Sequence, residues 1–227
     1  MIVASRWDEA AATLAERWAG YGCRLLTPDD LSEPGWRYRV GRAGESRAVA
    51  DGQPLDAADI AGLLVRLPGV SGRELLRIDT EHRDYAAAEM HAFLAAWLTE
   101  LPCPVLNRPT PGCLAGPAWR PEQWTHAAAG LGIPTLPITR SEDVTGQVDA
   151  DAGAGRLSVT VVSGRPVGAP PELLVDRALR LAAAAGVDLL TAVFTHEEEP
   201  RLIGASPWPD IGDDAVADAI RNVLIRA

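Results

Sequence analysis

Apolar and polar positions in the first part of the chain alternate between short strand-like runs and amphipathic helices. Four short apolar runs have the composition of buried strands, at residues 2–5, 23–27, 60–67 and 104–107. Apolar residues three and four positions apart predict helices at about 8–20, 82–100 and from Pro121 to a glycine stop. Two further runs, 36–40 and 46–50, predict a hairpin, and 135–139 predicts a last strand. Strands that alternate with helices across short connections indicate an open, mostly parallel α/β sheet, so we predict a Rossmann-like domain at 1–139.

The pattern changes after Arg140. Residues 140–156 are acidic, rich in glycine and alanine, and show no period, which indicates a linker or a long surface loop. The remaining runs follow the order β-β-α-β-β-α, with strands at 157–162, 166–169, 188–194 and 201–206 and helices at 171–186 and 213–225. We therefore predict a smaller α+β unit at 157–227, made of an antiparallel sheet with two helices.

Composition excludes several kinds of chemistry. The formal charge of the 227 residues is −10, and every one of the 21 basic residues is arginine. A chain without lysine forms no Schiff base and has no lysine to hold a phosphate. No arginine cluster indicates a nucleic-acid partner, and no apolar run reaches the length of a membrane span. The three cysteines lack CxxC spacing, which is typical of a reduced, cytoplasmic protein.

The richest candidate chemistry lies in residues 103–124, CPVLNRPTPGCLAGPAWRPEQW. Asn107 and Arg108 follow one predicted strand, and Arg66 ends another. The carboxyl edge of an open α/β sheet is where ligands usually bind, so Arg66 and Arg108 are predicted to contact an anion there. The alternative is that Asn107 caps a turn and the arginines are solvated.

Five more residues complete the set of ligand-binding candidates. Trp119 and Arg120 wall the same cleft in one interpretation, and are core-packing residues in the other. In SPWPD, Trp208 stands between two prolines, which suits either a cleft wall or an oligomer contact. Ser206 offers a hydroxyl, and Asp210 is placed to cap the last helix.

The order of these pieces resembles the ATP-grasp family. A strand that ends in Asn107, a proline-rich loop, a helix and GIPTLPIT are similar to the pre-ATP-grasp domain of the glutamate-ligase and peptide-maturase branch. VVSGRPVGAP, LAAAAGVDLL and LIGASPWPDI resemble the last subdomain of the same ligases. The resemblance covers nearly the whole chain. It implies an ATP-grasp fold and a relation to ligases that join a carboxylate to an amine with ATP and magnesium.

Three departures from the family pattern change this expectation. About twenty residues separate Thr139 from Val162, too few for the nucleotide-clamping subdomain that the family has there. The clamp lysine has no counterpart, and where the family has magnesium ligands this chain has Ala205, Ser206 and Pro207. We therefore expect a truncated relative with no cofactor and no metal site, for which ATP and magnesium are unlikely ligands.

These observations leave three hypotheses. The first is a degenerate, pseudoenzyme scaffold that binds a small amino-acid-like or peptidic ligand, or acts as partner of a complete ligase in a biosynthetic pathway. The second is a repurposed, ATP-independent enzyme that uses the cysteine, histidine and arginine side chains around the old cleft, with Cys103 or Cys113 as nucleophile beside His91 or His126. The third is an ATP-dependent carboxylate–amine ligase completed by a partner chain. A homodimer is also expected, because loss of the subdomain would uncover one sheet face.

Overall fold

The computed structural model describes residues 1–137 and 155–225. The chain forms two compact units: the first combines Met1–Ala118 with Asp210–Ala227, and the second is Trp119–Pro209. The domain boundaries 1–139, 140–156 and 157–227 stay a prediction, and most of the predicted linker, residues 140–154, lies outside the described residues.

The described residues contain ten strands and five α-helices. In chain order they are β1 Ile2–Val3, α1 Glu9–Arg17, β2 Leu25–Leu26, β3 Arg47–Ala50, β4 Gln53–Asp56, β5 Leu63–Val65, α2 Arg83–Glu100, β6 Val105–Leu106, α3 Pro121–Gly130, β7 Arg156–Val162, β8 Arg165–Pro166, α4 Glu172–Ala185, β9 Leu189–Thr195, β10 Leu202–Ser206 and α5 Asp214–Leu224. Short 3-10 helices lie at Ala19–Tyr21, Pro28–Ser32, Ala43–Glu45, Ala57–Asp59, Gly72–Glu74 and Thr80–His82. Within the same residues, no helix is both long and apolar enough to cross a membrane.

The first unit is built on a parallel sheet in the order β2-β1-β5-β6. Ile2 pairs with Leu25 on one side and with Leu64 on the other, and Leu63 pairs with Val105. All three strand pairs are parallel, which confirms the predicted α/β class. β1, β5 and β6 are buried along their whole length, as parallel strands covered on both faces are, while Leu25 of β2 is half-buried. Trp97, at 0% exposure in α2, is the largest side chain of the core that covers them.

The predicted hairpin between 36–40 and 46–50 is confirmed only in part. Arg37 and Arg47 form one antiparallel bridge, with main-chain N–H···O bonds of 3.0 and 2.7 Å. The longer pairing of β3 is with β4, which the sequence did not predict, and it places Arg47 opposite Asp56. The turn between β3 and β4 is Asp51-Gly52, with φ of 52° and 67°. Two consecutive positive φ values are the geometry of a type I′ hairpin turn, and Asp-Gly is among its preferred sequences, so the turn residues favour this longer pairing.

The last helix, α5, belongs to the first unit and packs beside β5. Its apolar stripe of Val216, Ala217, Ile220 and Leu224 is buried. The contact is close because Gly62 has no side chain: a Cβ there would lie 3.0 Å from the Leu224 carbonyl oxygen. An ion pair between Arg17 of α1 and Asp214 joins the helix to the same unit.

The second unit contains an antiparallel sheet in the order β10-β9-β7-β8. β7 pairs with β9 along seven residues, from Arg156 opposite Thr195 to Val162 opposite Leu189. α4 packs on β7 and β9, and α3 packs on β10, so that Phe194 and Leu181 are fully buried between sheet and helices. This arrangement confirms the predicted antiparallel sheet of the smaller unit.

Candidate functional site

The carboxyl edge of the parallel sheet places Arg66 against the start of α1. The Nε of Arg66 donates to Oδ2 of Asp8 at 2.8 Å, and the two side chains are 19% and 18% exposed. The other oxygen of Asp8 accepts from the main-chain N–H of Ala11 at 2.9 Å and so caps the helix. Arg66 is therefore held at the strand end by a carboxylate that also orders the neighbouring helix.

Asn107 follows β6 and is 1% exposed. The proline-rich loop returns to pack on Asn107 at Gly116. Only glycine fits at this position, because an added Cβ would lie 2.9 Å from the Asn107 Cβ and the φ of Gly116 is +92°. The Thr110 hydroxyl donates to the Gly116 carbonyl at 3.1 Å, and the Leu114 N–H donates to the carbonyl of Pro68 at 2.9 Å. Asn107 is thus enclosed by the loop at the end of the strand.

Arg108 holds the end of α2. Its guanidinium donates to the carbonyls of Leu98 at 3.3 Å, Thr99 at 3.1 Å, Leu101 at 3.4 Å and Cys103 at 3.2 Å. The last carbonyls of a helix have no partner within the helix, and a cation is favoured there by the helix dipole. Contact of Arg108 with a ligand anion stays a prediction, and it would require part of this network to be exchanged.

Three further charged residues stand at the same edge and were missed from the sequence. Arg6, just after β1, forms an ion pair with Asp29, and its main-chain N–H donates to Oε2 of Glu74 at 3.3 Å. Glu74 is only 4% exposed. The signal that would have found Arg6 and Asp29 is the one used for Arg66, because each follows a strand of the parallel sheet. The edge therefore carries two ion pairs, Arg66 with Asp8 and Arg6 with Asp29.

In the second unit, Trp119 and Arg120 stand at the start of α3. The ring centroids of Trp119 and Trp124 are 4.7 Å apart, and Trp124 is 2% exposed. The main-chain N–H of Arg120 donates to the Gln123 side chain at 2.9 Å, which ties the first turn of the helix to its cap. Trp119 thus packs on a core residue, while Arg120 is exposed at the helix end.

The SPWPD strip is divided between the two units. The Ser206 hydroxyl accepts from the main-chain N–H of Trp208 at 3.2 Å, and Trp208 is 42% exposed. Asp210 accepts from Gly212 N–H at 2.9 Å, while Asp213 caps α5. By unit, the first holds Arg66, Asn107, Arg108 and Asp210, and the second holds Trp119, Arg120, Ser206 and Trp208. The assignment of all eight to ligand binding stays a prediction.

Cys103 and Cys113 both favour the protonated thiol. Burial raises the pKa of the Cys103 thiol, and the nearby Arg108 charge lowers it by less. Burial also raises the pKa of Cys113, which is 1% exposed. A thiol needs a lowered pKa to act as a nucleophile near neutral pH. The described residues also contain no group of three or more His, Cys, Asp or Glu side chains that could hold a metal ion.

Comparisons with known proteins find likeness in structure alone. No protein-family model and no curated protein matches the chain. Among solved structures, the ATP-grasp ligase PsnB complexed with minimal precursor, Mg and ADP has a TM-score of 0.64 at 14% identity, over 99% of this chain and 98% of that chain. The macrocyclase MdnC of Microcystis aeruginosa, bound with precursor peptide MdnA, has a TM-score of 0.67 at 12% identity over the same shares. The fold is ATP-grasp-like. The macrocyclase MdnB of the same organism agrees, with a TM-score of 0.65 at 14% identity over 100% and 98% of the two chains.

The expectation that the protein has no cofactor, with ATP and magnesium unlikely, is contradicted. An ATP-grasp-like neighbour that matches over both units was solved with Mg and ADP. The expectation gave too much weight to the missing lysine, although arginine can also place a positive charge on a phosphate. The described residues nevertheless hold no acid cluster that fits magnesium. The truncation of the family pattern stays a prediction.

Proposed function

We propose that this protein binds a peptide, or an amino-acid-like part of one, within a cytoplasmic peptide-modifying pathway, alone or beside a complete ligase. The observation that carries the proposal is the full-length likeness to ATP-grasp ligases solved with their precursor peptides. A homodimer is part of the proposal, and a monomeric mass in light scattering would remove that part.

The charged carboxyl edge of the first unit is the proposed contact for the ligand. Its two ion pairs place an arginine and a carboxylate side by side twice, as Arg66 with Asp8 and Arg6 with Asp29. An amino-acid-like group carries both charges, so its carboxylate can pair with an arginine while its ammonium pairs with the acid. Such an exchange keeps every charge paired, which avoids the cost of a half-buried charge without a partner.

Peptide binding is tested with the short peptides encoded beside the gene, each labelled with fluorescein and followed by anisotropy. We expect at least one peptide to bind, and Arg66→Met to weaken it about tenfold or more, because a charge-assisted hydrogen bond is lost. Arg73→Met, which removes an exposed arginine from the same unit, is the matched control. Absence of binding by every peptide would refute the proposal. Equal binding by wild type and Arg66→Met would move the site away from this edge.

Ligase activity is the second candidate, favoured by the Mg and ADP in a neighbour of the same fold. The reaction would join a carboxylate to an amine as an amide, with ATP converted to ADP and phosphate. Incubation of the protein and a bound peptide with Mg-ATP, with and without a complete ligase from the pathway, tests it by mass spectrometry. Loss of water from the peptide in the reaction without added ligase would establish activity of the chain itself.

A further inference from the structure

Residues 36–40 form an open edge beside β3, which we call the edge segment. Arg37 and Arg47 exchange two main-chain hydrogen bonds, of 3.0 and 2.7 Å, in one antiparallel bridge. In such a pair the main-chain groups of the flanking residues point away from the paired strand. Accordingly, the main-chain N–H and C=O groups of Trp36 and Tyr38 form no hydrogen bond with the described residues. The edge segment therefore presents main-chain donors and acceptors to a further strand.

Aromatic packing on α2 holds the edge segment in place. The rings of Trp36 and Tyr38 both meet the Phe93 ring edge-on, with centroid distances of 5.2 and 5.7 Å. Just after the segment, the Gly41 N–H donates to Oε2 of Glu100 at 2.9 Å. Alternate side chains thus lie on the side of α2, as they do in an extended strand. A segment that is already fixed in this conformation loses little freedom when a partner binds.

The opposite side of the edge segment carries arginines. Arg37 and Arg39 alternate with the two packed rings, and both are exposed. Arg47 stands directly opposite Arg37 on the same side, and like charges in that position repel. Arg47 is compensated by Asp56, whose Oδ1 accepts from the Arg47 Nε at 2.9 Å. Arg37 forms no ion pair within the described part of the chain, so its charge is not compensated there.

Arg39 and Arg42 share a single carboxylate. Their Nη1 atoms lie 3.5 and 3.7 Å from Oε2 of Glu45, which are long distances for charge-assisted bonds. With Arg37 and Arg47 these two residues form the arginine patch, in which two carboxylates compensate four guanidinium groups. The patch was not recognised from the sequence, because the bridge is what brings Arg47 beside Arg37. It is positive although the formal charge of the chain is −10.

We infer that the edge segment docks an extended acidic peptide by strand addition. The main chain of the peptide pairs with Trp36 and Tyr38, and its alternate acidic side chains lie over Arg37 and Arg39. A second copy of the edge segment is a poor partner, because it would set arginine against arginine. This contact goes beyond the peptide contact proposed at the carboxyl edge and shares no residue with it, so either can fail without the other.

Two matched peptides test the inference. A fluorescein-labelled peptide that alternates threonine with glutamate is titrated by anisotropy, beside the same peptide with glutamine in place of glutamate. Each exposed ion pair is worth up to about fivefold in affinity, so two of them should make the glutamate peptide bind about tenfold more tightly. Added salt should remove most of that difference, because the charges are exposed. Equal affinity for the two peptides, or no binding of the glutamate peptide at millimolar concentration, would overturn the inference.

Charge reversal assigns the binding to the edge segment. Arg37→Glu should weaken binding of the glutamate peptide about tenfold or more, because an attraction becomes a repulsion. Arg73→Glu reverses another exposed arginine of the same unit, so it is the matched control and should bind nearly as wild type does. Arg66→Met should leave this binding unchanged, which separates it from the contact at the carboxyl edge. An equal effect of Arg37→Glu and Arg73→Glu would mean that only net charge matters and would overturn the assignment.

Hydrogen exchange distinguishes strand addition from a contact of side chains alone. In the free protein the amides of Trp36 and Tyr38 should exchange faster than the amide of Arg37, which is already bonded to Arg47. Saturation with the glutamate peptide should slow the exchange of both by about tenfold or more, because each amide gains an acceptor. A saturated complex in which both amides exchange as fast as before would refute strand addition.

Discussion

Replacing Gly62 with alanine tests the docking of the last helix directly. A Cβ at this position would lie 2.9 Å from Cδ2, 3.0 Å from the carbonyl oxygen and 3.1 Å from the Cα of Leu224. Two of these atoms belong to the main chain of α5, so a rotamer change of Leu224 cannot remove the overlap. Overpacking of this kind costs about 1–3 kcal/mol. For a chain of this size that corresponds to a melting temperature lower by roughly 2–12 °C.

Gly20→Ala is the matched control in the same unit, because an added Cβ there meets no described heavy atom within 4 Å. It should be neutral or stabilise by up to about 1 kcal/mol, since alanine restricts the unfolded chain. Urea unfolding of both variants, with limited proteolysis at α5, measures the difference. Equal unfolding midpoints for Gly62→Ala and Gly20→Ala would refute the packing of α5 beside β5.

A second substitution separates this contact from a general effect. Leu224→Ala alone removes a side chain that is 5% exposed and should cost about 2–5 kcal/mol. In combination with Gly62→Ala it also removes the 2.9 Å overlap with Cδ2, so the double variant should be less destabilised than the sum of the two. Strict additivity would mean that the Leu224 side chain contributes nothing to the overlap with the added Cβ.

Three other outcomes follow from the described contacts. Arg108→Met should lower the free energy of unfolding by about 1–3 kcal/mol, because four carbonyls at the end of α2 lose their donor, and wild-type stability in urea would contradict that network. Asp213→Ala should lower the free energy of unfolding by about 1 kcal/mol, because the Asp213 Oδ1 accepts from two N–H groups of α5 at 2.8 and 3.1 Å. Asp213→Asn keeps an acceptor oxygen and should lower it much less. Equal losses for the two variants in thermal unfolding would argue against the cap. Burial raises the pKa of Cys103 and Cys113, so iodoacetamide should react with both more slowly at pH 8 than with free cysteine. Fast alkylation at pH 8 would contradict the raised pKa values. Because the folded state holds these protons more tightly, the contribution of both thiols to the free energy of unfolding is fully present below the ordinary pKa of 9.0 and is lost as the pH rises above it.

The fold classes followed from the sequence because burial on both faces leaves continuous apolar runs, as in β5 and β6. Pairing was less predictable. The predicted partners 36–40 and 46–50 share only the bridge from Arg37 to Arg47, and the longer pairing of β3 is with β4. The Asp51-Gly52 turn carried the information for that longer pairing, because this dipeptide favours a tight hairpin. For α5, the amphipathic pattern predicts a buried stripe but not its partner, because Gly62 lies far away in sequence and contributes only the absence of a side chain.

The candidate site shows the same limit at the level of single residues. The strand-end rule located Arg66, Asn107 and Arg108 at one edge, but what an arginine does there depends on which acceptor the fold brings to it. Asp8, 58 residues earlier, reaches Arg66 because it caps the helix that follows β1. Arg108 meets carbonyls because α2 ends beside it. An arginine whose partners are already supplied by the chain is a weaker indication of a ligand than its strand-end position alone suggests, because a ligand has to replace those partners before it gains a contact.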